Sequence, residues 1–159
     1  MAPVGLRSIQ EYKLAPLVGF LFETTITVTR MIFGGVFERY PNVKLILPHM
    51  GGTLPFIFNR IDLGFKSYPE CRANSSKLPS EFLKTFYFDT ALAYNRSAVM
   101  CAYDLVGPEH IVFGTDYPFA KNLMPRAIAS IENLDLAHHD KECIFSENAK
   151  LALRRLAGA

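Results

Sequence analysis

The sequence predicts an α/β protein built on a parallel sheet, and three observations carry that prediction. Three short runs, VKLIL (43–47), FYF (86–88) and HIVFGTD (110–116), are dominated by β-branched, aromatic and other apolar residues, the pattern of strands buried on both faces. Segments with helical spacing lie between and around these runs, giving the order helix, strand, helix, strand, helix, strand, helix, helix. Finally, 159 residues is the size of one ordinary domain, and no internal repeat or low-complexity tract divides it.

Residues 1–18 hold two prolines and one glycine without a clear period and read as an irregular leader. Residues 20–38 (FLFETTITVTRMIFGGVFE) are apolar almost all round. The TTITVT run favours strand, but the length favours a buried helix, in which Gly34 and Gly35 would let a neighbouring element approach closely. Strand 43–47 follows Pro41. Residues 53–65 carry apolar residues at 54, 57, 58, 61 and 65, a helical stripe. Residues 66–80 are polar and turn-rich, a surface loop leading to a short helix over 80–84. After strand 86–88 comes a helix over 95–107, with Asn95 as N-cap and Gly107 just past its end. Strand 110–116 precedes two closing helices, 123–133 and 138–156, the second with a break marked by Ser146 and Asn148.

Composition excludes several classes. Half the residues are hydrophobic and 13% are aromatic, enough for a real core and against disorder. The net charge of +2 comes from 17 basic and 15 acidic residues scattered without a basic block, so no nucleic-acid partner is expected. Nor is a membrane: no segment reaches about 18 uninterrupted apolar residues, and the N-terminus has no apolar signal region. Three separated cysteines without a CxxC pattern read as reduced thiols packed as small apolar residues, in a cytoplasmic protein.

In parallel α/β folds the site lies at the carboxyl ends of the strands. The first run ends at His49, the second at Asp89 and the third at Asp116, so ionisable side chains stand at all three exits. Gly51 and Gly52 follow His49, and Gly114 precedes Asp116, where glycine allows sharp bends or close approach to a ligand. Imidazole and carboxylate are also the usual ligands of zinc and similar ions. Each residue also has a plainer role open to it. His49 could fill a hydrogen-bonded position in the core, Asp116 could initiate a turn before Tyr-Pro, and Asp89 could cap the turn that follows. Arg60, eleven residues after His49, could pair along its helix or reach a substrate carboxylate. His110 sits at a strand entry and reads as structural, and His138 and His139 read as solvated.

The segment FETTITVTRMIFGGVFERYPNVKLILPHMGGTLPFIFNRID, followed by IVFGTDYPF, resembles the amidohydrolase-related family of metal-dependent amidohydrolases. The likeness runs from about residue 10 to residue 156. It is nearest to the aminocarboxymuconate semialdehyde decarboxylases and the non-oxidative aromatic acid decarboxylases. FSENAKLAL is similar to the closing helix of that family. The resemblance implies part of a (β/α)8 TIM barrel, strands six to eight with their flanking helices. It implies a divalent metal, Zn²⁺ with Mn²⁺ or Mg²⁺ as alternatives. It makes Asp116 the metal ligand and a catalytic residue, His49 the proton-handling histidine near the metal, and Arg60 a contact for a substrate carboxylate. Asp89, at the second exit, joins Arg60 as a substrate-binding candidate. A second arginine of the semialdehyde decarboxylases falls near position 68, where this chain has Tyr68.

That family builds its metal site from an H-x-H pair and a further histidine as well as the aspartate, and this chain contains no H-x-H. A full barrel takes ~250 residues. The expectation is therefore a truncated, single-domain form of a metal-dependent decarboxylase or hydrolase of a small carboxylated molecule. Its unpaired strand edges would favour a homodimer or a partner that supplies further strands. The competing expectation is a catalytically silent chain acting as an assembly or binding subunit.

Overall fold

A computed structural model describes residues 9–91, 94–119 and 121–157. The chain divides into two compact units, residues 1–45 with 51–84, and residues 46–50 with 85–159.

The first unit is helical. Residues 11–18, read from sequence as irregular leader, wind with Gly19 into a 3-10 turn (Glu11–Lys13) and a π turn (Ala15–Gly19). These run directly into α1 (Phe20–Phe33), so Pro16 and Gly19 sit where helical turns tolerate them. By length and composition alone, the continuous stretch Glu11–Phe33 could cross a membrane, with a mean hydropathy of 1.2. Its centre, however, is tied into the unit: Thr25 Oγ1 accepts the backbone N–H of Thr53 (3.0 Å) and bonds the Thr53 hydroxyl (2.9 Å). The expected single helix over 20–38 is broken at Gly35, whose φ of +69° ends the α-ladder before α2 (Val36–Arg39). A side chain at Gly35 would collide with the Asn74 carbonyl, the close approach the glycine pair suggested.

In the same unit, α3 (Leu54–Ser67) and α4 (Pro79–Leu83) pack with α1, burying Ile32, Leu54 and Leu83. The polar loop between α3 and α4 contains one 3-10 turn, Pro69–Arg72. Asp62 fastens its far end by accepting from the Ser80 N–H (3.0 Å) and hydroxyl (2.6 Å).

The second unit carries the sheet. Strands β1 (Ile46–Leu47), β2 (Tyr87–Asp89) and β3 (Ile111–Val112) are parallel, in the order β1-β2-β3. Ile46 pairs with Tyr87, Phe88 with Ile111 and Asp89 with Val112. The α/β class with a parallel sheet is thus as the sequence implies, but each strand is shorter than its apolar run or displaced along it. At β3, the Phe113 N–H turns to the Ile144 carbonyl (2.9 Å), which ends the ladder. The expectation that the first strand is buried on both faces is corrected: Ile46 is 50% exposed, because β1 pairs on one side only, with β2.

Around the sheet lie α5 (Arg96–Val106), α6 (Met124–Glu132), α7 (His138–Glu142) and α8 (Asn148–Ala157). Asn95 caps α5 by accepting the Ala98 N–H (2.8 Å), and Gly107 closes it at φ +78°. The break in the closing helix is a π turn, Cys143–Glu147. Asn148, 2% exposed, then donates to the carbonyls of Pro108 (2.7 Å) and Ile111 (2.8 Å), holding the start of α8 against β3. His110 serves the strand entry as expected, with Nδ1 bonded to the Phe86 carbonyl (3.0 Å).

Candidate functional site at the strand exits

The chain leaves β1 through consecutive left-handed residues: His49 (φ +54°), Met50 (+53°), Gly51 (+74°) and Gly52 (+67°). At Gly52 the reason is space, since an added Cβ would lie 2.9 Å from Thr25 Oγ1 and closer still to the Leu21 carbonyl. At His49 no such freedom exists, and a left-handed residue with a side chain costs about 1–2 kcal/mol. The compensation is a hydrogen bond from the His49 N–H to Oδ1 of Asp89, 2.8 Å long. Such a bond to a charged acceptor contributes about 1.5–3 kcal/mol, enough to offset the turn. Asp116, at the exit of β3, is also left-handed (φ +59°). Two of the three exit residues chosen from sequence therefore hold strained backbone, which in folded proteins gathers at functional positions.

The ring of His49 is oriented too. Its Nδ1 lies 3.1 Å from the Ala91 carbonyl. A carbonyl only accepts, so the proton is on Nδ1, and the neutral ring keeps its lone pair on Nε2. Asp89 Oδ1 also accepts the Ala91 N–H (3.0 Å), so the carboxylate expected to bind substrate is turned to two backbone donors. Gly114 leaves room for it: a Cβ there would lie 3.1 Å from Asp89 Cγ and 3.3 Å from Oδ2. Burial pushes the Asp89 carboxyl above its ordinary range, against the lowering effect of the two N–H donors, and the charge of Asp116 adds to the rise.

Asp116 is therefore within electrostatic reach of Asp89, and no hydrogen bond joins it to His49 among the described residues. Sequence reasoning missed Tyr94 and Arg126. The Arg126 guanidinium lies 5.1 Å from the centroid of the Tyr94 ring, and the Tyr94 hydroxyl is buried without a hydrogen-bond partner among the described residues. Burial raises the Tyr94 phenol, Arg126 opposes the rise, and Asp116 adds to it. No spacing or motif distinguishes these two residues in the sequence.

Arg60 belongs to the first unit. It lines an apolar groove of about 430 Å³ between α1 and α3, with Arg30, Phe33, Ile57 and Tyr68. Neither arginine has a carboxylate partner among the described residues. His138 and His139 are exposed, as expected.

The described residues do not make a metal site by themselves. Asp116 and His49 Nε2 are two donors, no group of three histidine, cysteine or acidic side chains gathers among the described residues, and a catalytic zinc takes three protein ligands.

Residues 4–155 match the amidohydrolase family model, and the chain belongs to that family. A 2-amino-3-carboxymuconate-6-semialdehyde decarboxylase from Dictyostelium discoideum is 36% identical over 149 residues, covering 92% of this chain and 41% of that protein. A gamma-resorcylate decarboxylase from a Polaromonas strain is 31% identical, covering 86% of this chain and 42% of the relative. Among solved structures, the 5-carboxyvanillate decarboxylase of Sphingomonas paucimobilis superposes with a TM-score of 0.85 at 27% identity, covering 96% of this chain and 47% of that one. A dihydroxybenzoic acid decarboxylase from Polaromonas, solved with manganese and 2-nitroresorcinol bound, superposes at 0.83 with 27% identity, covering 97% and 48%. The chain thus spans less than half the length of each of these proteins.

Proposed function

We propose that this chain contributes to the non-oxidative decarboxylation of a small carboxylated molecule, with His49 as its proton carrier. The observation that supports this most is the held His49 ring, whose Nδ1–H is occupied by Ala91 and whose Nε2 is left for chemistry. Loss of CO₂ breaks a carbon–carboxylate bond, and the carbon left behind must take up a proton. A histidine titrates in the range that such a transfer needs, so Nε2 can accept a proton from solvent or substrate and return it to carbon. Asp116, at the exit of β3, would act with it, within electrostatic reach of Asp89. Arg60, free of any described carboxylate partner and set in an apolar groove, suits the carboxylate of the substrate.

A divalent ion, Zn²⁺, Mn²⁺ or Mg²⁺, would draw one ligand from Asp116 and the rest from outside the described residues. The sheet edges at β1 and β3, each paired only with β2 among the described residues, suit a second copy or a partner strand.

The purified chain, incubated with Mn²⁺ or Zn²⁺ and with gamma-resorcylate, 6-methylsalicylate or 2-amino-3-carboxymuconate semialdehyde, should release CO₂ from at least one. His49→Ala and Asp116→Ala should abolish that release. No CO₂ from any of the three acids would overturn the proposal and leave the assembly or binding role.

A further inference from the structure

We propose that Asp89 is a positioning residue: it fixes the tautomer of His49, so that Nε2 and not Nδ1 faces the chemistry. This rests on the reading of His49 as proton carrier but is tested without any activity. The geometry is a closed ring of contacts. Asp89 Oδ1 takes the His49 N–H (2.8 Å) and the Ala91 N–H (3.0 Å), and the Ala91 carbonyl takes the proton on His49 Nδ1 (3.1 Å). One carboxylate oxygen thus holds both ends of the bond that sets the ring. Remove it, and the left-handed backbone at His49 loses its compensating partner while the Ala91 carbonyl loses its anchor.

The neighbouring strand keeps Asp89 in place. Gly114 leaves the volume that the carboxylate fills, and Thr90 Oγ1 grips Gly114 through its N–H (3.1 Å) and carbonyl (3.2 Å). Second partners of this kind decide which imidazole nitrogen is available to a proton or a metal, and they act through the histidine rather than on the substrate. Asp89 needs only to accept, so an amide oxygen can replace it.

The experiment reads the tautomer directly. The chain is labelled with ¹⁵N-histidine, and long-range proton–nitrogen spectra are recorded at about pH 8, above the ordinary imidazole range. The His49 signals are identified by their loss in His49→Gln. The wild-type ring should show protonated Nδ1 and unprotonated Nε2. Asp89→Ala should give a mixture, with Nε2–H gaining, whereas Asp89→Asn should retain the wild-type pattern. Gly114→Ala, which crowds the carboxylate while leaving Asp89 in the chain, should shift the ring as alanine does, and it is read in place of Asp89→Ala if that variant does not fold. The proposal is overturned if the wild-type ring is protonated on Nε2, if Asp89→Ala keeps the Nδ1–H form, or if Asp89→Asn loses it. A chain without decarboxylase activity would still show the wild-type tautomer, so the two readings fail separately.

Discussion

The hydroxyl of Thr90 both accepts the N–H of Gly114 (3.1 Å) and donates to the Gly114 carbonyl (3.2 Å). Thr90 is 1% exposed, and its side chain does here what the β2–β3 ladder no longer does beyond Val112. Thr90→Val keeps the shape and deletes both bonds, leaving two backbone groups unpaired in the interior. That should lower unfolding stability by about 1–3 kcal/mol, whereas Thr90→Ser should lose much less. Urea denaturation of the three proteins measures this. A loss at serine with none at valine would show that the methyl group, not the hydroxyl, matters.

A buried side-chain amide makes a sharper demand. Asn148 donates twice, to Pro108 and Ile111, and an aspartate of the same shape can donate to neither. Asn148→Asp places a carboxylate against two carbonyl oxygens, so it should be more destabilising than Asn148→Ala, which forfeits about 1–3 kcal/mol. The ordering of the two thermal midpoints is the measurement, and alanine below aspartate would contradict it.

The raised carboxyl of Asp89 gives a pH dependence with a definite sign. Its pKa is higher folded than the ordinary value of 3.8, so the native chain binds this proton more tightly than the unfolded chain. The resulting stabilisation is complete below 3.8 and is lost as pH rises through the elevated value. Asp89→Asn lacks the titration. The stability of Asp89→Asn relative to wild type should therefore increase between about pH 4 and pH 7. Denaturation series at both pH values test it, and a difference that stays flat or falls would count against a raised carboxyl. Since Asp116 contributes to the rise, Asp116→Asn should move the upper end of this window to lower pH and shrink the change.

How much of this could be read from the chain depends on how local each cause is. Asn95 and Gly107 were legible because caps are set within one helical turn. The places of His49 and Asp116 just past strand ends were legible because position along the apolar run was sufficient. The partner of Asp89 was not, because its hydrogen bond reaches a backbone N–H forty residues earlier, and backbone donors carry no signature in sequence. For the same reason Gly114 suggested room for a ligand, while the structure fills that room with the Asp89 carboxylate. Strand 43–47 looked doubly buried from its composition, but Ile46 is half exposed because composition does not say which strand lies at an edge. The Tyr94–Arg126 pair joins the loop after β2 to α6, a meeting that only the fold creates.

Arg60 offers the last prediction, and it separates binding from chemistry. Its side chain is exposed on α3, lines the apolar groove with Arg30, and has no carboxylate partner among the described residues. Replacing it should therefore leave no buried charge unpaired and should change stability little. If the guanidinium neutralises a substrate carboxylate, the lost charge-assisted bond is worth about 1.5–3 kcal/mol, or roughly 10–100-fold in affinity. Arg60→Met keeps the aliphatic stem that covers the groove and removes only the charge. It should raise KM by that factor with kcat changed far less, while His49→Ala should do the reverse. Arg60→Lys should recover only part of the loss, because an ammonium cannot make the two parallel bonds of a guanidinium. Steady-state kinetics on the decarboxylated acid decide between these outcomes. An Arg60→Met enzyme with unaltered KM would remove Arg60 from the substrate site.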